Sequence, residues 1–131
     1  MTDTAATRAA TQRPATDHAA VWQAYTDVWQ AGSDRRAVFE ATLAPECIYT
    51  DPLVQARGYD ELDAYVRDFQ RQVPGGRFVT EQFAVHHDLG LVHWTMRDGA
   101  GQRLSGGTSF AEFAEDGRLQ RMTGFFDVPE N

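Results

Sequence analysis

Residues 103–126 read RLSGGTSFAEFAEDGRLQRMTGFF, and this stretch decides how the second half of the chain folds. Two alternating runs flank Glu115-Asp116-Gly117, a triplet suited to a tight hairpin turn. With Glu115 to Arg118 as the turn, Gly107 stands opposite Phe126, Ser109 opposite Gly124 and Glu112 opposite Arg121. The same reasoning at Asp98-Gly99-Ala100-Gly101 sets Trp94 beside Ser105 and Val92 beside Gly107. A third turn at Asp88-Leu89-Gly90 completes an antiparallel meander of four strands that begins at Arg77.

Strand parity then sorts the side chains. One face carries Val92, Trp94, Met96 and Phe126 around the small residues Ser105, Gly107, Ser109 and Gly124. Large walls over a small-residue floor describe a hollow. The opposite face mixes Phe110 and Phe125 with Glu112 and Arg121, which suits a solvated or subunit-facing surface.

Ahead of the meander the period is helical. Thr16 or Asp17 caps a helix whose apolar positions Val21, Trp22, Tyr25, Val28 and Trp29 share one stripe, and Gly32 ends it. Ser33 or Asp34 caps a second helix with Val38, Phe39 and Leu43, stopped before Pro45. Cys47 to Thr50 reads as a short strand broken at Asp51-Pro52. A third helix opens after Gly58, presents Leu62, Tyr65, Val66, Phe69 and Val73, and stops at Pro74-Gly75-Gly76. The expected class is α+β: three N-terminal helices on a curved, mostly antiparallel sheet.

The 131 residues suit one domain over 16–131, and 42% hydrophobic residues supply a core. Residues 1–15, rich in Ala and Thr, read as a disordered tail with no secretory signal. A net charge of -7 repels phosphate backbones and anionic membranes, so neither nucleic acid nor a membrane is an expected partner. No apolar run is long enough to span a bilayer. One cysteine, Cys47, leaves no internal disulfide and fits the cytoplasm. No phosphate-binding glycine loop, zinc-type cysteine pair or nucleophilic triad spacing is present, so no metal or organic cofactor is expected.

The order of elements, the Asp51-Pro52 turn, Gly58 before the third helix, and the closing Phe113-Ala114-Glu115-Asp116-Gly117-Arg118-Leu119 hairpin resemble the SnoaL-like branch of the nuclear-transport-factor-2-like superfamily. The resemblance runs over residues 17–128. It implies a cone-shaped α+β barrel of cystatin-like fold, often a homodimer through the sheet, hosting small-molecule chemistry. Within the superfamily, ketosteroid isomerases resemble this chain at two positions. Their base is the aspartate of an Asp-Pro turn, matched by Asp51. Their oxyanion-hole tyrosine lies on the first helix seven positions before its glycine, matched by Tyr25 and Gly32. At their second oxyanion donor this chain has Ser109, and at their supporting tyrosine on the third helix it has Val66.

The chemistry implied is enolisation of a small apolar ligand, with Asp51 as base and Tyr25 as donor to the developing enolate. Trp22, Trp29, Tyr49, Tyr65, Phe69, His86, Trp94, Ser109 and Phe126 are the expected ligand contacts. Each has a plainer reading: Asp51 serves its turn, the aromatic residues fill core, and His86 is a surface histidine. Two alternatives follow. One is a non-catalytic binding module. The other is a different enzyme on the fold, a polyketide cyclase or epoxide hydrolase, using His86 or Asp127; Arg97-Asp98 superficially resembles the Arg and Asp of limonene-type epoxide hydrolases. His87 and His93 share the other predicted face without a placed carboxylate.

Overall fold

An acidic side chain opens each of the first two helices in the computed structural model, which describes residues 17–30 and 34–127. Asp17 accepts from the Ala20 amide (3.1 Å) at the head of α1 (His18–Asp27), and Asp34 accepts from Ala37 (3.3 Å) at the head of α2 (Arg35–Thr42). Each carboxylate takes a hydrogen bond from an amide that the first turn leaves without a partner. Val28 and Trp29 lie just past α1, where their carbonyls accept from Gln70 Nε2 at 3.4 and 3.1 Å. The expected tail, the Gly32 stop and the Ser33 cap lie outside the described residues.

The second helix ends earlier than its sequence pattern suggests. Leu43 is already extended (φ -121°, ψ 141°) and opens β1 (Leu43–Thr50), so Pro45 lies inside a strand rather than after a helix. Long-range pairing overrides the helical period here, because the fully buried Leu43 lies opposite Leu119. The register slips between Leu43 and Ile48, and Pro45 falls in that irregular stretch, where a missing amide costs no ladder bond.

A hairpin to β2 (Gln55–Arg57) precedes α3 (Gly58–Gln72), so one strand pair lies between the second and third helices. Gly58, at φ +75°, makes the sharp exit from β2 that an L side chain resists. Glu61 reaches back to accept from the Arg57 amide at 2.8 Å, closing the head of α3. The meander is β3 (Arg77–His86), β4 (Leu89–Arg97), β5 (Arg103–Phe113) and β6 (Leu119–Phe125).

The sheet runs β2-β1-β6-β5-β4-β3, antiparallel except where β1 pairs with β6. The three helices pack on one side of this curved sheet, which stays unclosed, with β2 and β3 as edges. The expected α+β cone, three helices on a curved and mostly antiparallel sheet, is thus present with its sheet unclosed. His18 on α1 stacks on Phe113 at 3.9 Å and reaches Asp88 at 3.3 Å, tying α1 to the β3–β4 turn. None of the described helices is long and apolar enough to cross a membrane.

The hairpin registers differ from expectation in two ways. At the last hairpin Ser109 pairs with Gly124 and Glu112 with Arg121, as read from the sequence. Across the Asp98 turn Trp94 pairs with Gly107 and Val92 with Ser109, a slip of two residues that leaves every side chain on its expected face. The first hairpin turns at His87-Asp88 rather than Asp88-Leu89-Gly90, with His87 at φ +54°. His86 therefore pairs with Leu89, on the face opposite Val92, and its expected place in the hollow is corrected.

Candidate functional site

Space opens on the concave face because Ser105, Gly107 and Ser109 of β5 and Gly124 of β6 supply almost no side-chain volume beneath Trp94. A Cβ on Gly107 would lie 2.4 Å from the Trp94 ring and 2.5 Å from the Phe125 carbonyl, so only glycine lets the indole lie across this strand. Trp94 Nε1 donates to Ser109 Oγ at 3.0 Å, which fixes the ring in that position. Trp94, with Trp29, Tyr49 and Phe78, forms a wall shared by two chambers.

The inner chamber measures about 40 Å³ and lies against Trp22, Tyr25, Thr26, Thr80, Ser109, Met122 and Gly124. That is room for roughly three waters or one small polar group. The outer chamber, about 250 Å³, adds Asp51, Tyr65, Phe69, Met96, Ser105 and Phe126, with Leu53, Asp68 and Gln72 also along its lining. Trp29 is the hub of the walls: its ring centroid stands 5.4–5.9 Å from those of Phe78, Phe69, Tyr49 and Tyr65. Such tilted and edge-on contacts are the favoured aromatic geometry.

Asp51 is 8% exposed and fully engaged. Its Oδ1 accepts from the amides of Leu53 (2.8 Å) and Val54 (3.1 Å), the local turn expected of an Asp before Pro. Its Oδ2 accepts from two phenols, Tyr49 at 2.7 Å and Tyr65 at 2.8 Å. Burial pushes both phenols above the ordinary tyrosine range, and the Asp51 charge adds to the shift, so both stay protonated as donors. Tyr25, 2% exposed, is pushed up chiefly by burial, partly offset by the Trp29 indole, with a further upward push from Asp51. Burial likewise raises the Cys47 thiol, which therefore stays protonated and inert.

Asp51 and Tyr25 thus line adjoining chambers, with Tyr49 facing both. Gly124 lies between Ser109 and Asp51: a Cβ there would be 3.4 Å from the hydroxyl and 3.8 Å from the Asp51 Cβ. Trp22 and Ser109 line the inner chamber, Tyr65, Phe69 and Phe126 the outer, and Trp29, Tyr49 and Trp94 both. His86 joins neither; it is exposed and 3.0 Å from His87. Asp127 is exposed, His93 meets Thr108 at 3.1 Å, and Asp98 accepts from the Ala100 and Gln102 amides within its turn. Phe78 and Thr80 were missed by sequence reasoning, although their alternation on β3 was the available signal. Thr26, one helical turn past Trp22, could have been found the same way.

A bent sheet, helices on its concave side and a divided hollow between them define the NTF2-like, cystatin-like class of α+β domains. Within that class the chain belongs to the SnoaL-like domain family, whose sequence profile matches residues 3–122. A protein from Agrobacterium tumefaciens strain C58, proposed to be an isomerase of the SnoaL-like family, is 26% identical, with 85% of this chain and 97% of that one covered and a TM-score of 0.77. A proposed SnoaL-like polyketide cyclase from Jannaschia sp. CCS1 is 18% identical over 91% and 92% of the chains, with a TM-score of 0.71. A proposed polyketide cyclase from Sinorhizobium meliloti is 18% identical over 80% and 93%, with a TM-score of 0.67. No curated protein matches the chain.

Proposed function

We propose that this chain binds a small, flat, largely apolar organic molecule and moves a proton on it, as an enolising isomerase does. One observation carries the reading: a buried carboxylate opens onto an aromatic-walled chamber. Cavities that hold drug-sized ligands measure about 300–1,000 Å³. The outer chamber, at about 250 Å³, therefore suits one or two fused rings rather than a four-ring skeleton. The inner chamber accepts a carbonyl or hydroxyl and no ring.

In this arrangement the ring lies beside Asp51 and its oxygen passes Trp94 to meet Tyr25 and Ser109. Tyr25, held protonated by burial, donates to the oxygen as negative charge develops there. Asp51 needs a free lone pair to accept the proton. Release of the Tyr65 hydroxyl from Oδ2 supplies it, and Tyr49 continues to orient the carboxylate. The proton leaves the carbon next to the carbonyl, its bonding pair enters the enolate, and return at a second carbon completes an isomerisation.

Deuterium exchange tests this without knowledge of the natural substrate. A bicyclic ketone such as 2-tetralone in heavy water should exchange its acidic hydrogens in the presence of the protein, followed by NMR. Asp51→Asn should slow the exchange by about a hundredfold or more and leave binding of the ketone in place. Equal exchange by the variant assigns the base elsewhere.

The four hydrogen bonds on Asp51 favour a second reading, a binding module in which the carboxylate holds the β1–β2 turn and the chamber walls. Binding without exchange decides for it. On either reading the convex face supports a homodimer through the sheet, because Phe110 and Phe125 stand 50% and 54% exposed there.

A further inference from the structure

We infer that the guest of the outer chamber is cationic: an aromatic or alicyclic amine, protonated or quaternary. The inference rests on the outer chamber being the ligand site and adds the charge of the ligand.

Among the described residues Asp51 is buried against neutral donors only, two amides and two phenols. Buried charges are ordinarily matched by an opposite charge. All twelve basic side chains of this protein are arginines, and none of those among the described residues lines either chamber. Arg35, Arg36, Arg118 and Arg121 are committed to carboxylates elsewhere on the surface. Asp68, along the lining of the outer chamber, is already paired with Arg71 at 2.6 Å, so among the described residues the uncompensated charge on this lining is that of Asp51.

The walls complete the recognition. Trp29, Tyr49, Tyr65, Phe69, Trp94 and Phe126 line the chamber onto which the carboxylate opens, and ring faces attract cations electrostatically. An ammonium between these rings and Asp51 supplies the missing counter-charge in a desolvated setting. An anionic guest meets the carboxylate with nothing to offset it. The net charge of -7 favours encounter with cations over anions in the same sense.

Three probes built on one naphthalene ring test the charge: the 2-naphthylmethyl trimethylammonium ion, 2-naphthylmethanol and 2-naphthoate, each titrated by calorimetry and by quenching of tryptophan fluorescence. The ammonium ion should bind at least about tenfold tighter than the alcohol, chiefly through its charge pair with Asp51 and to a smaller part through cation–π contact, and the carboxylate weakest. Asp51→Asn should bring ammonium and alcohol within about twofold of each other, since the carboxylate supplies most of the discrimination. Tyr65→Phe, which frees one lone pair of Oδ2 and keeps the ring, should widen the preference for the ammonium. It serves as the readout if the Asn variant fails to fold. Equal affinity for ammonium and alcohol in the unaltered protein overturns the charge assignment and leaves the apolar site standing. Failure of all three probes to bind overturns both.

Discussion

Alternate residues of β5 face two different environments, and the contrast teaches how the hollow is made. Toward the helices the strand shows Ser105, Gly107, Ser109 and Ala111, none larger than a serine, until Phe113 at its end stacks on His18. Toward the outside it shows Leu104, Thr108, Phe110 and Glu112, with Phe110 edge-on to Phe125 at 5.9 Å and Glu112 3.7 Å from Arg121. The bulk that a filled core would use is placed on the wrong side of the sheet for filling. The concave face instead borrows rings from α1, α3, β3 and β4, which arch over the small residues and leave a void beneath. Removal of concave-face features should therefore damage the fold or its binding, whereas convex-face changes should act on association alone.

The largest effect needs no mutation. Tyr25, Tyr49 and Tyr65 all hold their protons above the ordinary phenol value of 10.0. A phenol whose folded-state pKa exceeds its unfolded one contributes stability that is whole below pH 10 and drains as the pH rises toward the folded value. Phenolate absorbance from these three should stay silent through pH 10 and then appear together with the loss of ellipticity as the whole fold gives way. Smooth ionisation near pH 10 in an intact protein would mean that the concave side is wet.

Gly107→Val comes next, since its branches meet the Trp94 ring and a backbone carbonyl that cannot retreat. A loss of about 3 kcal/mol in urea denaturation is expected, at the upper end of ordinary overpacking. Ser109→Ala should cost about 1 kcal/mol by taking the acceptor from the Trp94 N–H. It should also release the indole and merge the two chambers, visible as a red shift in tryptophan emission.

Convex-face substitutions should do far less to the monomer. Phe110→Ser or Phe125→Ser should change stability by within about 0.5 kcal/mol. Either should weaken the proposed dimer, measured by sedimentation; dissociation unaffected by both would place the contact elsewhere. Glu112→Gln should be smallest, a few tenths of a kcal/mol at about half-exposed side chains.

The same hairpins show why one part of the site was legible from the sequence and another was not. Parity survives an even error: Trp94 was set two residues from its true partner and still reached the correct face. An odd error inverts the face, and the shift to a His87-Asp88 turn moved His86 out of the hollow. Left-handed backbone at a histidine is uncommon enough that the turn residues alone did not announce it. Asp51 was visible both as a turn former and as a chamber residue, and its structure shows that one carboxylate does both, one oxygen for each.

The Tyr65 contact was beyond reach of local reasoning. It joins α3 to the end of β1, and the rotation of a helix over a sheet is set by the whole interface rather than by neighbouring residues. The isomerases' supporting tyrosine falls at Val66, as read from the sequence, while its neighbour Tyr65 serves Asp51 instead. Likewise, no periodicity within Arg35 to Pro45 could reveal that Leu43 would leave the helix to meet Leu119, because that partner lies on the last strand.

The parallel pairing of β1 with β6 has a consequence for how this molecule comes into being. During synthesis, β1 is the first of the six described strands to be made and must keep one edge unoccupied until the ribosome has passed Phe125, since β6, which fills the gap beside β5, is the last of the six. Contacts so distant along the chain slow folding and prolong exposure of sticky edges. Arrested translation products ending before β6 should therefore be the form most dependent on chaperones, and the empty space under Trp94 is enclosed only once β6 has joined β5 and β1.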